Sequence, residues 1–190
     1  MKRDDSAELE RLRAEVGSLR ERVATLEALL KCDALTGLGN RRAFDECLTI
    51  ELERTARSGK PSCLLLLDID GLKTLNDNFS HAAGDAAIQF LAQSVVSTMR
   101  KLDSAHRLGG DEFAVILAGS GEEGGARVAE RIHAALSAGL VFDSQQLQVK
   151  VSIGCATTLA WPYAMPLNER RDELIRRADT ALYAEKPKRG

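Results

Sequence analysis

The chain has 190 residues, a formal net charge of −2, and 44% apolar but only 4% aromatic residues. That length supports one domain with a real core plus an appendage, and the near-neutral charge excludes bulk electrostatic attraction to nucleic acid or anionic lipid. No apolar run is long enough to span a bilayer, and the N-terminus reads as a charged helix rather than a signal peptide, so a soluble chain without membrane contact is expected.

Residues 6–31 lack proline and carry a heptad seam. Leu9, Val16, Val23 and Leu30 fall at position a, and Leu12, Leu19 and Leu26 at d. Valine at a with leucine at d favours a parallel two-stranded coil. Glu8, Glu15 and Arg22 at g each face an opposite charge on the next e of a partner, at Arg13, Arg20 and Glu27. A helix packed on its own domain needs a wider apolar stripe. The reading is therefore a homodimer joined by residues 1–32, with a coil of about three heptads that is marginal on its own.

Asp33 to Arg42 (DALTGLGNRR) breaks the pattern as a turn. A helix follows over 41–58, with Phe44, Leu48, Leu52 and Thr55 on one face, and Gly59-Lys60-Pro61 stops it. Ser62 to Asp68 is a continuous apolar run, expected as a buried central strand. Asp68 and Asp70 at its end are two apart and share a face. A short helix is expected over 72–78, a loop over 80–84, and a helix from Asp85 to about Met99 with Ile88, Leu91, Ala92 and Val95 inward.

Two strand-like runs then flank Gly109-Gly110, the pattern of a hairpin turn. Asp111 and Glu112 sit at its tip, and adjacent carboxylates repel unless a cation or donors sit beside them. Residues 119–125 read as a loop, 126–137 as a helix, and 147–153 as a strand buried on one face. Residues 160–168 read as a loop, 172–185 as a closing helix, and a basic tail ends the chain. The whole describes an α+β domain over residues 33–190, with a mainly antiparallel sheet flanked by helices. Cys32, Cys47, Cys63 and Cys155 lie far apart without a CxxC pair, so reduced thiols are expected rather than a disulfide framework or a zinc site. His81, His106 and His133 show no ligand spacing.

If the apolar strand lies beside the hairpin, Asp68 and Asp111 meet. Two carboxylates and a backbone carbonyl are a minimal Mg2+ site that leaves positions for waters and phosphates. From the residues alone, magnesium-dependent nucleotide chemistry and a structural ion-pair cluster fit equally.

Five blocks together resemble the GGDEF-domain diguanylate cyclases: Asp33–Arg42, Asp68–Lys73 with Asn76-Asp77, His81 with Gly84-Asp85, Arg107–Phe113, and Val151–Gly154 with Ala178–Tyr183. The resemblance covers residues 33–190 and implies a palm-like nucleotidyl-cyclase fold. It implies condensation of two GTP into cyclic di-GMP with loss of pyrophosphate, in a dimer holding one GTP per protomer. Two Mg2+ per site are implied, with Mn2+ as a substitute. Asp68, the carbonyl of Ile69, Asp111 and Glu112 correspond to metal ligands, and Asp111, Glu112 and Lys73 to the catalytic set. Asn76 and Asp85 correspond to guanine readers; Gly71, Leu72, Lys73, Lys186 and Arg189 correspond to phosphate contacts. Arg100 and Asp103 match the RxxD product-inhibition site, with Arg131 as its secondary arginine. An upstream sensory domain and a bacterial, cytoplasmic setting are also implied. The alternative is a non-catalytic GTP or cyclic di-GMP receptor on the same fold. Against the family pattern, Gly71-Leu72 replaces an aromatic pair, Ser80 replaces a glycine, and Gly190 stands, four residues after Lys186, where the family often has an arginine.

Overall fold

Strand β1 (Cys63–Ile69) organises the domain because both of its faces are covered. Cys63, Leu65, Leu67 and Ile69 enter one apolar cluster, while Leu64 and Leu66 enter another. A strand buried on both sides reads as a continuous apolar run rather than an alternation. It pairs antiparallel with β3 (Glu112–Leu117) on one side and with β6 (Val151–Thr157) on the other. With β2 (Ser104–Gly109) the four-stranded order is β2-β3-β1-β6. In this computed structural model the described residues are 8, 11–13, 15–20, 22, 30–158 and 165–187.

The first cluster lies under α3 (His81–Thr98) and α4 (Glu122–Leu136), which supply Leu91, Val95, Ile132 and Leu136. The second lies under α1 (Arg41–Ser58) and α5 (Leu167–Glu185), which supply Phe44, Leu48, Leu52, Leu174 and Leu182. A short helix, α2 (Leu72–Asn78), links β1 to α3. The antiparallel α+β arrangement expected from the sequence is present. Helix α1 has the expected bounds, with Asn40 accepting from the Ala43 amide at its start and Gly59 in a left-handed conformation at its end.

Four local readings differ. Helix α3 begins at His81, not at Asp85, because Ser80 caps it by accepting from the Ala83 amide. Gly84 is not a loop residue: it is buried inside that helix, where a Cβ would lie 1.9 Å from the side-chain oxygen of Asn76. Its role is close packing of α2 on α3. Helix α4 begins at Glu122, inside the stretch read as a loop, and α5 begins at Leu167, ahead of Asp172. The strand expected over 147–153 is split. Leu147 ends a separate hairpin of β4 (Leu140–Phe142) and β5 (Gln145–Leu147), and β6 starts only at Val151.

The chain divides into two compact units, residues 1–32 and 33–190. In the first, residues 11–13 and 15–20 are helical, and Leu12, Val16, Leu19 and Leu30 are exposed apolar side chains. Leu9, Val23, Leu26 and Glu27 of the heptad reading lie outside the described residues.

Candidate active site

The hairpin joins β2 to β3 through the two turn residues Gly110 and Asp111, and Gly109, which ends β2, and Gly110 take φ of 149° and 53°, values that L side chains rarely adopt. Arg107 clamps it. Its guanidinium donates twice to the Gly110 carbonyl, at 3.0 and 2.8 Å, and its remaining nitrogen lies 3.2 Å from both oxygens of Asp33. Asp33 also accepts from the amide and hydroxyl of Thr36, at 2.9 and 2.7 Å. Burial raises the Asp33 carboxyl, but the hydrogen bonds from Thr36 and Arg107 outweigh it and hold the group below its ordinary range. Arg41 adds a contact by donating to the Leu108 carbonyl at 3.1 Å. Asp33, Arg41 and Arg107 stand in the motif blocks of the sequence, but the blocks assign none of them this work. The available signal was an arginine two residues ahead of a Gly-Gly turn whose carbonyls need donors.

Antiparallel pairing then sets Asp68 opposite Glu112, and the Ile69 amide donates to the Asp111 carbonyl at 3.3 Å. The sheet thus brings the end of β1 and the hairpin tip together. Asp68, Ile69, Asp70 and Asp111 line a cleft of about 410 Å3, with Gly71, Leu72, Lys73 and Thr74 from the start of α2. Lys186 and Pro187 close it from the end of α5. Close approach makes this possible: a Cβ on Gly154 of β6 would lie 2.0 Å from the Ala178 carbonyl of α5. Helix α5 therefore lies flush on β6, and Lys186 reaches Asp68 in an ion pair.

Like charges crowd this cleft. Burial, then Asp111 and Asp70, push the Asp68 carboxyl above its ordinary value, while Lys186 opposes them. Asp70 turns to the other neighbour strand and accepts from the Ser152 hydroxyl at 2.8 Å. Glu112 is exposed and lies 3.5 Å from Arg41, outside the cleft lining. Among the described residues no group of three or more His, Cys, Asp or Glu is already placed to hold a metal ion. The donors that face one another are Asp68 and Asp111, beside Ile69. Hard oxygen donors suit Mg2+, which binds through one or two carboxylates and leaves its other positions to water and phosphate, so this short set fits that ion.

The remaining candidates are not part of the cleft lining. Asn76, on α2, has a buried side-chain oxygen with no hydrogen-bond partner among the described residues. Asp85 is exposed on α3, which packs against α2. Arg100 and Arg131 are exposed. Asp103 does not form the simple i, i+3 ion pair with the Arg100 side chain. Its carboxylate accepts from the backbone amides of Arg100 (2.8 Å) and Ala118 (3.2 Å). Arg189 lies outside the described residues.

Comparison with known proteins bears on the family and the fold. The family model "Diguanylate cyclase, GGDEF domain" matches residues 30–190. The chain is 33% identical over 171 residues to the "Probable diguanylate cyclase DgcC" of Escherichia coli K12, covering 88% of this chain and 44% of that protein. It is 37% identical over 155 residues to the "Diguanylate cyclase DgcP" of Pseudomonas aeruginosa, covering 81% of this chain and 22% of that protein. The chain thus spans less than half the length of these two curated relatives. Among solved structures, the coiled coil and GGDEF domain of DgcB from Caulobacter crescentus, in complex with c-di-GMP, superposes with a TM-score of 0.80 at 32% identity. That match covers 94% of this chain and 92% of the other. A palm-like domain, a clamped Gly-Gly-Asp-Glu-Phe hairpin and a match over most of the sequence lead to one assignment: the chain belongs to the GGDEF-domain family.

Proposed function

We propose that this chain is a diguanylate cyclase. It joins two GTP into cyclic di-GMP and releases two pyrophosphates, with one GTP held by each protomer of a dimer. The observation that carries the reading is the shared cleft: Asp68 and Asp111 face one another beside the start of α2 and beneath Lys186. The relatives named as diguanylate cyclases support the same chemistry.

Asp68, Asp111 and the Ile69 carbonyl would hold Mg2+, or Mn2+ in its place, and Glu112 would join them by leaving its exposed contact with Arg41. Bound divalent cations supply Lewis-acid polarisation of the α-phosphate and make the attacking 3′-hydroxyl more acidic. The chain's own groups do the rest. Lys186 and Lys73 neutralise phosphate charge, with Arg189 as a further contact, and the backbone at Gly71 and Leu72 faces the terminal phosphates. The Asn76 oxygen, unpartnered among the described residues, and the exposed carboxylate of Asp85 read guanine. Guanine offers N1–H and N2–H2 together, and adenine does not. Holding two nucleotides face to face turns a bimolecular encounter into an effectively intramolecular step. The exposed apolar side chains Leu12, Val16 and Leu19 give the dimer its seam. Product binding at Arg100 and Asp103, with Arg131, would restrain the enzyme. An upstream sensory domain and a bacterial, cytoplasmic setting complete the reading; no helix among the described residues is long and apolar enough to cross a membrane.

The test is incubation with GTP and Mg2+, followed by chromatography of the products. Cyclic di-GMP and pyrophosphate are expected, with specific activity falling on dilution and falling further for a Val16→Asp, Val23→Asp double variant. Tight GTP binding without turnover would instead establish a receptor on this fold.

A further inference from the structure

Two cysteines that are 92 positions apart in sequence meet beneath α4. Register places Leu65 opposite Cys155 and Cys63 opposite Thr157, so Cys63 and Cys155 are diagonal neighbours on one face of the β1–β6 ladder. Their sulfurs are 2.9 Å apart, and both thiols are free. The covering helix makes room for the pair: a Cβ on Gly125 of α4 would lie 2.5 Å from the sulfur of Cys155 and 2.6 Å from that of Cys63. The two thiols differ in access. Cys63 is 1% exposed, whereas Cys155 is half-buried and lines a second cleft of about 440 Å3 with Glu122, Ala126, Thr157 and Arg177. None of these residues belongs to the proposed cyclase cleft.

We propose that Cys63 and Cys155 form an oxidation site for hydroperoxides, with Cys155 as the attacking sulfur and Cys63 as the resolving one. The asymmetry assigns the roles. The hydrogen bond with Cys155 and burial push the Cys63 thiol up, so it keeps its proton. The hydrogen bond from Cys63 pulls the Cys155 thiol down against the cost of its burial. The Cys155 thiolate attacks the outer oxygen of the hydroperoxide. An S–O bond forms, the O–O bond breaks, and the alcohol or water leaves with a proton. The Cys63 sulfur then attacks Cys155, forming S–S and breaking S–O, and the displaced hydroxyl leaves as water with the Cys63 proton. In sum, two thiols and one hydroperoxide give one disulfide, one alcohol (or water for hydrogen peroxide) and one water. Reaching a disulfide of about 2.05 Å requires the sulfurs to approach by under about 1 Å.

The experiment uses the full chain, reduced and moved into thiol-free buffer, then treated with hydrogen peroxide. Remaining thiols are alkylated, and the protein is digested without reductant for mass spectrometry. The expected product joins the peptides carrying Cys63 and Cys155, is lighter by two hydrogens, and is reversed by dithiothreitol. Exposed Cys32 serves as the reference thiol. In Cys63→Ser, whose hydroxyl keeps a donor toward Cys155, oxidation is expected to stop at a Cys155 sulfenic acid that a cyclic diketone traps. In Cys155→Ser, oxidation of Cys63 is expected to fall at least about tenfold, with circular dichroism establishing that both variants are folded. Full alkylation of Cys63 and Cys155 in wild-type protein, at a peroxide dose that oxidises Cys32, would overturn the proposal. So would undiminished oxidation of Cys63 in Cys155→Ser.

Discussion

The two ends of β1 treat their acidic neighbours in opposite ways. At the end near Cys63, Glu51 is nearly buried, takes both arms of Arg54 at 2.8 Å and accepts from the Ser62 hydroxyl. At the end near Asp68, three carboxylates gather with fewer protein donors. Asp70 finds Ser152, Asp68 finds Lys186, and Asp111 adds like charge. A carboxylate supplied with internal donors is a structural part. Carboxylates crowded at a cleft and left short of positive charge are set up for a cation from outside.

The largest effect that would sharpen this contrast is loss of chemistry without loss of fold. Asp111→Ala should reduce cyclic di-GMP formation on the order of 10³-fold or more, since several kcal/mol of transition-state stabilisation depend on a held cation. Its denaturation midpoint should stay level or rise, because a like charge leaves Asp68. Residual product near the wild-type rate would break the comparison.

A sealed polar group should respond to pH in its own way. His106 is buried under Gly39 and beside Phe44, with one ring nitrogen 3.0 Å from the Ser104 hydroxyl. Burial drops it to about 4 from 6.5. The unfolded chain therefore takes up a proton as pH falls below 6.5, while the folded chain resists until about 4. Stability from this group is intact above pH 6.5 and is lost as pH falls toward 4, by up to about 3 kcal/mol. Urea unfolding of wild type and His106→Gln across that window measures it, and identical pH slopes would remove the assignment.

Glu51→Ala should cost about 2 kcal/mol, since it strips a buried charge partner from a half-exposed arginine and an acceptor from Ser62. Equilibrium unfolding reads that cost, and turnover per folded molecule should be unchanged. A turnover loss as large as that of Asp111→Ala would mean that the two ends are not separate. Smaller still is Arg107→Lys: a loss of about 1 kcal/mol with a modest fall in activity, because a lysine cannot hold Gly110 and Asp33 at once. The measurements are the denaturation midpoint and kcat.

What the sequence disclosed follows from how local the signals are. Helix α1 is bracketed by Asn40 and Gly59, β1 by its apolar run, and the hairpin by two glycines, so each is written within about a dozen residues. The meeting of Asp68 with Asp111 followed once β1 was set beside the hairpin. Glycine misled where its purpose was packing: Gly84 and the Gly124-Gly125 pair read as breakers but lie inside α3 and α4. The β4–β5 hairpin was hidden because Asp143 and Ser144 both take positive φ, 46° and 63°, without the usual asparagine-glycine pair. The meeting of Cys63 with Cys155 depends on strand register, which spacing along the chain does not encode.

One carboxylate at the close of α5 reaches further than its own contact. Glu185 accepts from the Ile153 amide at 2.5 Å, and β6 is one of the two edge strands of the sheet, paired among the described residues with β1 alone. An unguarded border strand offers a ladder onto which foreign backbone can zip. With that rung already taken by a charged side chain, continuous extension of the sheet by a neighbouring molecule is discouraged at this margin.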